Sequence, residues 1–548
     1  MITQTSTCAR AIVLIVTVAL SGLTCPAVSF AQDLGSLKQD IGGGANVLIA
    51  SADVEAKLGK GIFSTPQNRA HAPKHIEKKT IARSTVRAAH TRGTADSGKQ
   101  GSDAGKQGSD AGKQGTDTGK QGSDNGKETG RTDDTGLGSK PLGDAAKRVL
   151  TAEDYNKRGD NYFDAGQYEK AVDEYKQALR QKANYPDAQL NLGEAYFNLE
   201  RYDEAIAAEK QALQLKPDWA EAYRDLGNAY LKTDRQADAF DALKRAVSLD
   251  SKDEEARNSL SIVYYDQGVA AYNAGKYEEA IASYKEAINL KADYAEAYNN
   301  LGDAYRRLDK IADAADAYKQ AVRIKPDFVD AYCALSWMYD KLGRYPESVE
   351  AYRRVIQFRP DDAEANNNLG YALGKSKRFS EAIPPLKRAI ELKPDYAEAY
   401  SNLGWVYNNL GNFTSALPPL QRAVELKPDL AEGHFNLGIT YNHLLKKEES
   451  LAELKQAAQL KPDWPVAYNN LGVAYGTLGR WKEAIEAHKQ AVKLNPDYAG
   501  GHFNLGIDYL MAGNKNAAIE EYKILQKIHP QNARALYINI YHKEPPKN

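Results

Sequence analysis

Seven asparagines, Asn191, Asn300, Asn368, Asn402, Asn436, Asn470 and Asn504, are spaced by multiples of 34 residues apart from one slip of seven. A side-chain amide carries both a donor and an acceptor, so a row of them can pair with the N–H and C=O groups of an extended peptide whatever its side chains. Asparagine is a mediocre helix former, about 0.5 kcal/mol worse than alanine, so its recurrence at one helical position calls for a reason. Each such bond is worth roughly 1 kcal/mol net, which predicts weak, sequence-tolerant peptide binding along the run Asn368 to Asn504. Plain surface polarity is the competing reading. Trp337 and Trp405 stand three residues beyond the same position in their own repeats. They either join the binding face, stack sugars, or pack.

No catalytic constellation accompanies this row. His434, His488 and His502 fall at positions where packing aromatics belong and are expected to be core histidines, and no histidine pair has zincin spacing. Gly374-Lys375-Ser376 imitates the end of a phosphate loop, but Leu369 stands where the loop needs its first glycine, and the segment follows a helix rather than a strand. The many Asp and Glu residues read as helix caps and solvated faces rather than as a paired acid and base. No enzyme activity, cofactor or metal is expected.

The elements that must position the asparagines are written in a 34-residue period. Repeats begin at residues 152, 186, 220, 261, 295, 329, 363, 397, 431, 465 and 499, and the last ends at 532. A glycine occupies position 8 in every repeat except one, where Ser336 replaces it. Large residues at positions 4, 7 and 11 make one helical face, as Tyr400, Leu403 and Tyr407 do. Ala416, Leu420 and Ala423, at positions 20, 24 and 27, make a second, and proline at position 32 stops it in eight repeats. Asp293 with Glu296, Asp395 with Glu398, Asp429 with Glu432, and Asp218 with Glu221 have the spacing of capping boxes. The weaker position-4 residues Gln189 and Asn366 predict looser packing. A period of this size means a solenoid in which each helix pair buries its faces only against its neighbours. Positions 2, 6, 9 and 13 are expected to form one open stripe along the first helices.

The pattern resembles the tetratricopeptide repeat family, and the match spans about seventy per cent of the chain. The resemblance implies an all-α, right-handed superhelical solenoid of about eleven helix-turn-helix repeats that binds polypeptide in its concave groove. The asparagine row is also similar to the superhelical repeat region of O-linked N-acetylglucosamine transferase, where inner-face asparagines hold the substrate backbone. That likeness implies groove binding at Asn368, Asn402, Asn436, Asn470 and Asn504 but no transfer chemistry, since only sixteen residues follow the last repeat in this sequence.

Two irregularities break the lattice. Residues 254–260 are an insertion of two helical turns, which predicts one continuous helix from about 254 to 273. Pro384-Pro385 and Pro418-Pro419 fall inside second helices past the positions where proline is free, which predicts a distorted first turn.

Outside the repeats, residues 1–31 combine Arg10, an apolar run and a small-x-small site at Ser29 to Ala31, the pattern of a cleaved secretory signal, with an uncleaved anchor as the alternative. Residues 32–140 are basic at first, then repeat GKQGSDA with no residue large enough for a coiled-coil seam, and are expected to be a disordered linker. The array is assigned to 141–532, and 533–548 to a capping helix and tail. Only Cys333 remains beyond the signal, so no intramolecular disulfide is expected. Net charge is −1 overall, +4 for the linker and −6 for the array and tail, which argues against nucleic acid as a partner. The sequence therefore predicts an exported, periplasmic or secreted interaction scaffold for protein or peptide segments, touching membrane only if residues 11–31 remain as an anchor. An accessory subunit of an envelope polysaccharide machine, with glycan as ligand, and an intracellular recruiter of a separate glycosyltransferase are the alternatives.

Overall fold

In the computed structural model of the protein, residues 150–542 are described. The expected signal segment and linker, and the last six residues of the tail, lie outside the described residues. Twenty-three α-helices follow one another, and no strand occurs among the described residues. Twenty-two of them form eleven helix pairs, and Pro530–Tyr541 comes last. The described residues fall into two compact units, 150–225 and 226–542.

A typical pair is Ala397–Asn409 followed by Phe413–Leu426. The turn inside each pair is the same in all eleven repeats: position 15 has φ between 57° and 81°. The next N–H then reaches back to the carbonyl of position 11, as Arg344 to Tyr339 at 2.8 Å and Asn412 to Tyr407 at 2.9 Å. This is the left-handed helix ending that glycine adopts freely. Six repeats have glycine there, and Glu200, Asp234, Asp309, Lys377 and Leu445 take the same conformation at a steric cost.

The position-8 glycine is a contact residue. A Cβ added at Gly302 would lie 2.7–2.9 Å from the Tyr318 ring, and one at Gly404 would lie 2.3 Å from Leu420 Cγ. Position 24 of the second helix therefore sits directly on the first helix, where no side chain fits between them. In the last repeat the corresponding neighbour of Gly506 is Leu536 of the terminal helix, which is fully buried with Ile540.

Three expectations change in detail. The helices beginning at Ala295, Ala397 and Ala431 start one residue later than a capping box requires, with Tyr294, Tyr396 and Leu430 as N-caps that make no side-chain cap bond. The glutamate then lies at the second helical position and reaches the end of its own repeat instead. Glu296 pairs with Lys325 at 3.1 Å, Glu398 with Lys427 at 2.7 Å and Glu432 with Lys461 at 3.2 Å. Asn366 does not loosen its repeat; it is buried, and its amide donates to the carbonyls of Pro360 and Asp362. The paired prolines leave Phe379–Leu392 and Phe413–Leu426 unbroken. Their first turns tighten, with i→i−3 bonds from Glu381 to Arg378 and from Ser415 to Asn412.

The inserted turns appear as Glu254–Asn273, a helix of 20 residues against 13 for its counterparts, capped by Asp253. Among the described residues no helix is long and apolar enough to cross a membrane.

Candidate functional site

The candidate site is the face of the first helices that carries positions 6, 9, 12 and 13. Position 6 does not stand open to a ligand. Asn191, Asn300, Asn368, Asn402, Asn436 and Asn470 are buried, and Asn504 is half-buried. Their amides bond mainly to the neighbouring first helix. In the smaller compact unit Asn191 Nδ2 donates to Asn156 Oδ1 at 3.3 Å and Asp160 Oδ1 at 3.0 Å. In the larger one Asn300 donates to the Tyr265 hydroxyl at 2.8 Å, Asn402 to Asn367 Oδ1 at 2.9 Å and Asn504 to Asn469 Oδ1 at 2.9 Å. Asp160 apart, each of these acceptors is the position-5 residue of the preceding repeat, 35 residues earlier.

At Asn191, Asn300, Asn402 and Asn504 the expected free amide ladder is instead a set of stitches between repeats. The reason is packing. Neighbouring first helices meet along positions 5 and 6, and a polar group buried there must find a partner. Asn368 accepts from Asn367 at 3.0 Å, and Asn470 turns back onto the Val466 carbonyl at 2.9 Å. The Asn408 amide caps the Asn436 carbonyl at 3.0 Å. Sequence reasoning missed the position-5 partners Asn156, Tyr265, Asn367 and Asn469; polar or hydroxyl residues beside the asparagines were the available signal.

Position 9 is partly interior as well. Tyr371 and Ile439 are buried, while Trp337 and Trp405 are half-buried. Trp405 lies across Gly374 of the preceding repeat, where an added Cβ would come within 2.4 Å of its ring, and it packs 5.9 Å from Tyr371 and 6.1 Å from Phe379. Trp337 is flanked by Arg306 at 6.0 Å and Lys341 at 5.3 Å from its ring. Position 12 or 13 therefore supplies the more exposed groups of this face, Arg307 and Lys341 among them.

Family profiles described as "TPR repeat" match residues 159–200, 195–234, 270–309, 338–377 and 375–411. Profiles described as "Tetratricopeptide repeat" match 295–328, 397–430 and 465–498, and a further one 220–253. Together these matches cover more than half of the chain. The chain belongs to the tetratricopeptide repeat family. Among solved structures, the tetratricopeptide array is similar to the APC/C hetero-tetramer Cut9–Hcn1, with 15% identity over 72% of this chain and 97% of that one and a TM-score of 0.39. Yeast Tom70 matches with 15% identity over 71% and 95% and a TM-score of 0.35. A MamA protein matches with 28% identity over 32% and 92% and a TM-score of 0.28. No curated protein sequence matches the chain.

Three histidines of this tetratricopeptide array, His434, His488 and His502, are interior bonding groups. His434 and His502, both at position 4, place Nδ1 2.6 Å from Glu453 and Glu521 and Nε2 2.9 Å from the carbonyls of Pro428 and Pro496. His488, at position 24, is buried between Asp508 at 2.6 Å and the Asn469 carbonyl at 3.0 Å. At His434 and His502 the carboxylate and the carbonyl both accept, an arrangement that favours the imidazolium. Burial works against the charge at His434 and His502, but the bonds to glutamate and carbonyl outweigh it and raise both above the ordinary histidine value. Among the described residues no group of three or more His, Cys, Asp or Glu is placed to hold a metal. Cys333 is half-buried, and burial pushes its thiol up to about 12.

Tetratricopeptide repeat proteins are scaffolds that typically act through protein–protein interaction, and their domains generally bind protein segments.

Proposed function

We propose that the protein is a non-enzymatic scaffold that holds an extended polypeptide along the inner face of its first helices, in a right-handed superhelical groove, outside the cytoplasm. The observation that carries this reading is the repeated stitch between first helices: Asn300 to Tyr265, Asn402 to Asn367 and Asn504 to Asn469. A row of helices tied to one another by such amide bonds is a preformed surface, and a preformed surface binds a flexible segment without first having to order itself. Within this reading the asparagines shape the face from behind, and positions 9, 12 and 13, including Trp337, make the contact. The half-buried ring of Trp405, set against Tyr371 and Phe379, supports polypeptide over sugar, because sugar stacking needs an open ring face.

A photo-crosslinking residue placed at Trp337 of the full-length protein tests the face. Lys319, exposed on a second helix, is the control position. With a panel of unstructured peptides of defined sequence, crosslinks are expected from position 337 and not from 319. Equal yields from both, or helix formation by the peptide on binding, would remove this reading. Export rests on residues 1–31 alone. Fused to a phosphatase active only outside the cytoplasm, that segment should give an active reporter, and an inactive one would overturn export.

A further inference from the structure

We propose that repeats eight to eleven hold an uncharged, apolar stretch of the bound polypeptide, with Leu445 as one of its contacts; this inference rests on the polypeptide-binding reading above. Leu445, in the turn of the ninth repeat, carries two costs at once. Its backbone is left-handed, with φ 61°, and its side chain is 66% exposed. Six repeats avoid the first cost with glycine, and the other four have Glu200, Asp234, Asp309 or Lys377, all charged. Only in this turn is the strain borne by an exposed apolar group. Neither the turn nor the core requires leucine there, and contact outside the fold explains it.

The surroundings of Leu445 on the first helices are uncharged. Positions 9, 12 and 13 of repeats five to seven include Asp303, Arg306, Arg307, Asp340, Lys341 and Lys375. From Trp405 to Met511 the same positions of repeats eight to eleven carry no Asp, Glu, Lys or Arg. Their one titratable group is His443, whose ring stacks on Phe413 at 3.9 Å and 7°, and whose burial holds it below the ordinary histidine value. The position-2 carboxylates are tied down, Glu398 by Lys427 at 2.7 Å and Glu432 by Lys461 at 3.2 Å, and the last two repeats have Val466 and Gly500 there. Beyond Leu445, Lys446 rests on the Tyr441 ring and Lys447 donates to the Thr477 carbonyl at 3.0 Å. At the far end Met511 is 39% exposed.

The absence of charge decides the kind of segment. A charged side chain laid here would give up its hydration with no counter-charge to meet it, whereas an apolar one would cover Leu445 and Met511. Packing explains the apolar residues at position 9, since Ile439 is buried and Trp405 lies across Gly374. It does not explain Leu445 or Met511. Polypeptide fits better than lipid because the strip also has unused amide groups. The half-buried Asn442 side chain makes no hydrogen bond among the described residues, and Asn409 uses only its Nδ2, which donates to the Trp405 carbonyl at 2.9 Å. A peptide N–H or C=O can pair with these amides, and a hydrocarbon tail cannot.

The test uses full-length protein and fluorescence anisotropy with labelled, unstructured peptides of one length, bearing Leu, Glu or Lys at every third position of a glycine–serine background. The Leu peptide is expected to bind at least about tenfold more tightly than the other two, with little dependence on salt. Leu445→Gly should weaken it at least about threefold while raising Tm, a combination that a packing role for Leu445 would not produce. Leu445→Glu, which copies Glu200 in the same turn, combined with Met511→Glu should abolish the preference at the wild-type Tm. Lys319→Glu should change nothing. Equal affinity for the Leu and charged peptides, or Leu-peptide affinity unchanged by both Leu445 variants, overturns this inference and leaves polypeptide binding intact. Failure of every peptide overturns the underlying reading. Displacement of the Leu peptide by neutral phosphatidylcholine vesicles, dependent on Leu445, overturns the choice of polypeptide over lipid.

Discussion

Two stretches of the larger compact unit use the same lattice for opposite purposes. From Arg306 to Trp405 the variable positions 9, 12 and 13 hold cations and large rings, of which Arg307 and Lys341 are exposed, Trp337 and Trp405 half-buried and Tyr371 buried. From His434 to Glu521 it is positions 4, 10, 23 and 24 that place three histidines and their carboxylates inside. Glycine at 8 and alanine at 20 and 27 are shared, with Ser336, Ser348, Val355 and Ser450 as the exceptions. A repeat thus has separate slots for what it shows and for what it hides. Change in one set should alter binding without stability, and change in the other stability without binding.

The largest effect expected is at the hidden end. His488→Leu leaves the Asp508 carboxylate buried without its partner and should cost about 3–5 kcal/mol, read by urea unfolding followed through tryptophan fluorescence. Adding Asp508→Leu should restore most of the loss. A single variant as stable as wild type would show that this pair is not an interior stitch.

Asn402→Ala and Asn504→Ala test whether position 6 belongs to the hidden set in both stretches. Each leaves a position-5 carbonyl oxygen without its donor and should cost about 1–3 kcal/mol. Faster amide exchange in Ala397–Asn409 or Ala499–Met511 would register it. No change in exchange at either site would break the assignment.

The two stretches should also respond to different pH ranges. Burial raises Asp340 to about 7, and burial with the nearby Asp362 charge raises Glu364 to about 7. Their native forms hold protons that the unfolded chain has released, so stability from this source falls as pH rises from the ordinary carboxyl range to about 7. Asp340→Asn keeps an acceptor for Tyr352 and should raise Tm above pH 7 while flattening that slope. For His434 and His502, the raised values mean a contribution complete below the unfolded histidine range and lost as pH climbs through the folded value. His434→Gln with His502→Gln should therefore be most destabilised relative to wild type in acid and least in alkali. The opposite trend would contradict the bonding described.

The smallest effect compares the same turn in two neighbouring repeats. Leu445 has φ 61° and is 66% exposed, so Leu445→Gly should gain about 1 kcal/mol. Gly411→Leu, at φ 74° in the neighbouring repeat, should lose a similar amount.

The helix pairs, the proline stops and the continuous helix Glu254–Asn273 were legible in the sequence because a 34-residue period and a seven-residue slip are global signals, averaged over eleven copies. The face of Asn402 was not legible. Helical spacing places it beside position 9, but only the crossing of adjacent first helices decides whether that stripe meets water or Asn367. The capping boxes failed for a related reason: a shift of one residue in helix start converts Glu398 from a cap partner into the partner of Lys427. His434 with Glu453 and His502 with Glu521 could have been found, since position-4 histidine occurs only where position 23 is glutamate.

The central claim is that the position-6 amides join repeats rather than meet a ligand. Asn402→Ala with Asn504→Ala in full-length protein, measured in parallel for amide exchange and for binding of an unstructured peptide well below its Tm, tests it most directly. The account predicts faster exchange in both helices and peptide affinity within about twofold of wild type. Unchanged exchange with lost affinity would contradict it.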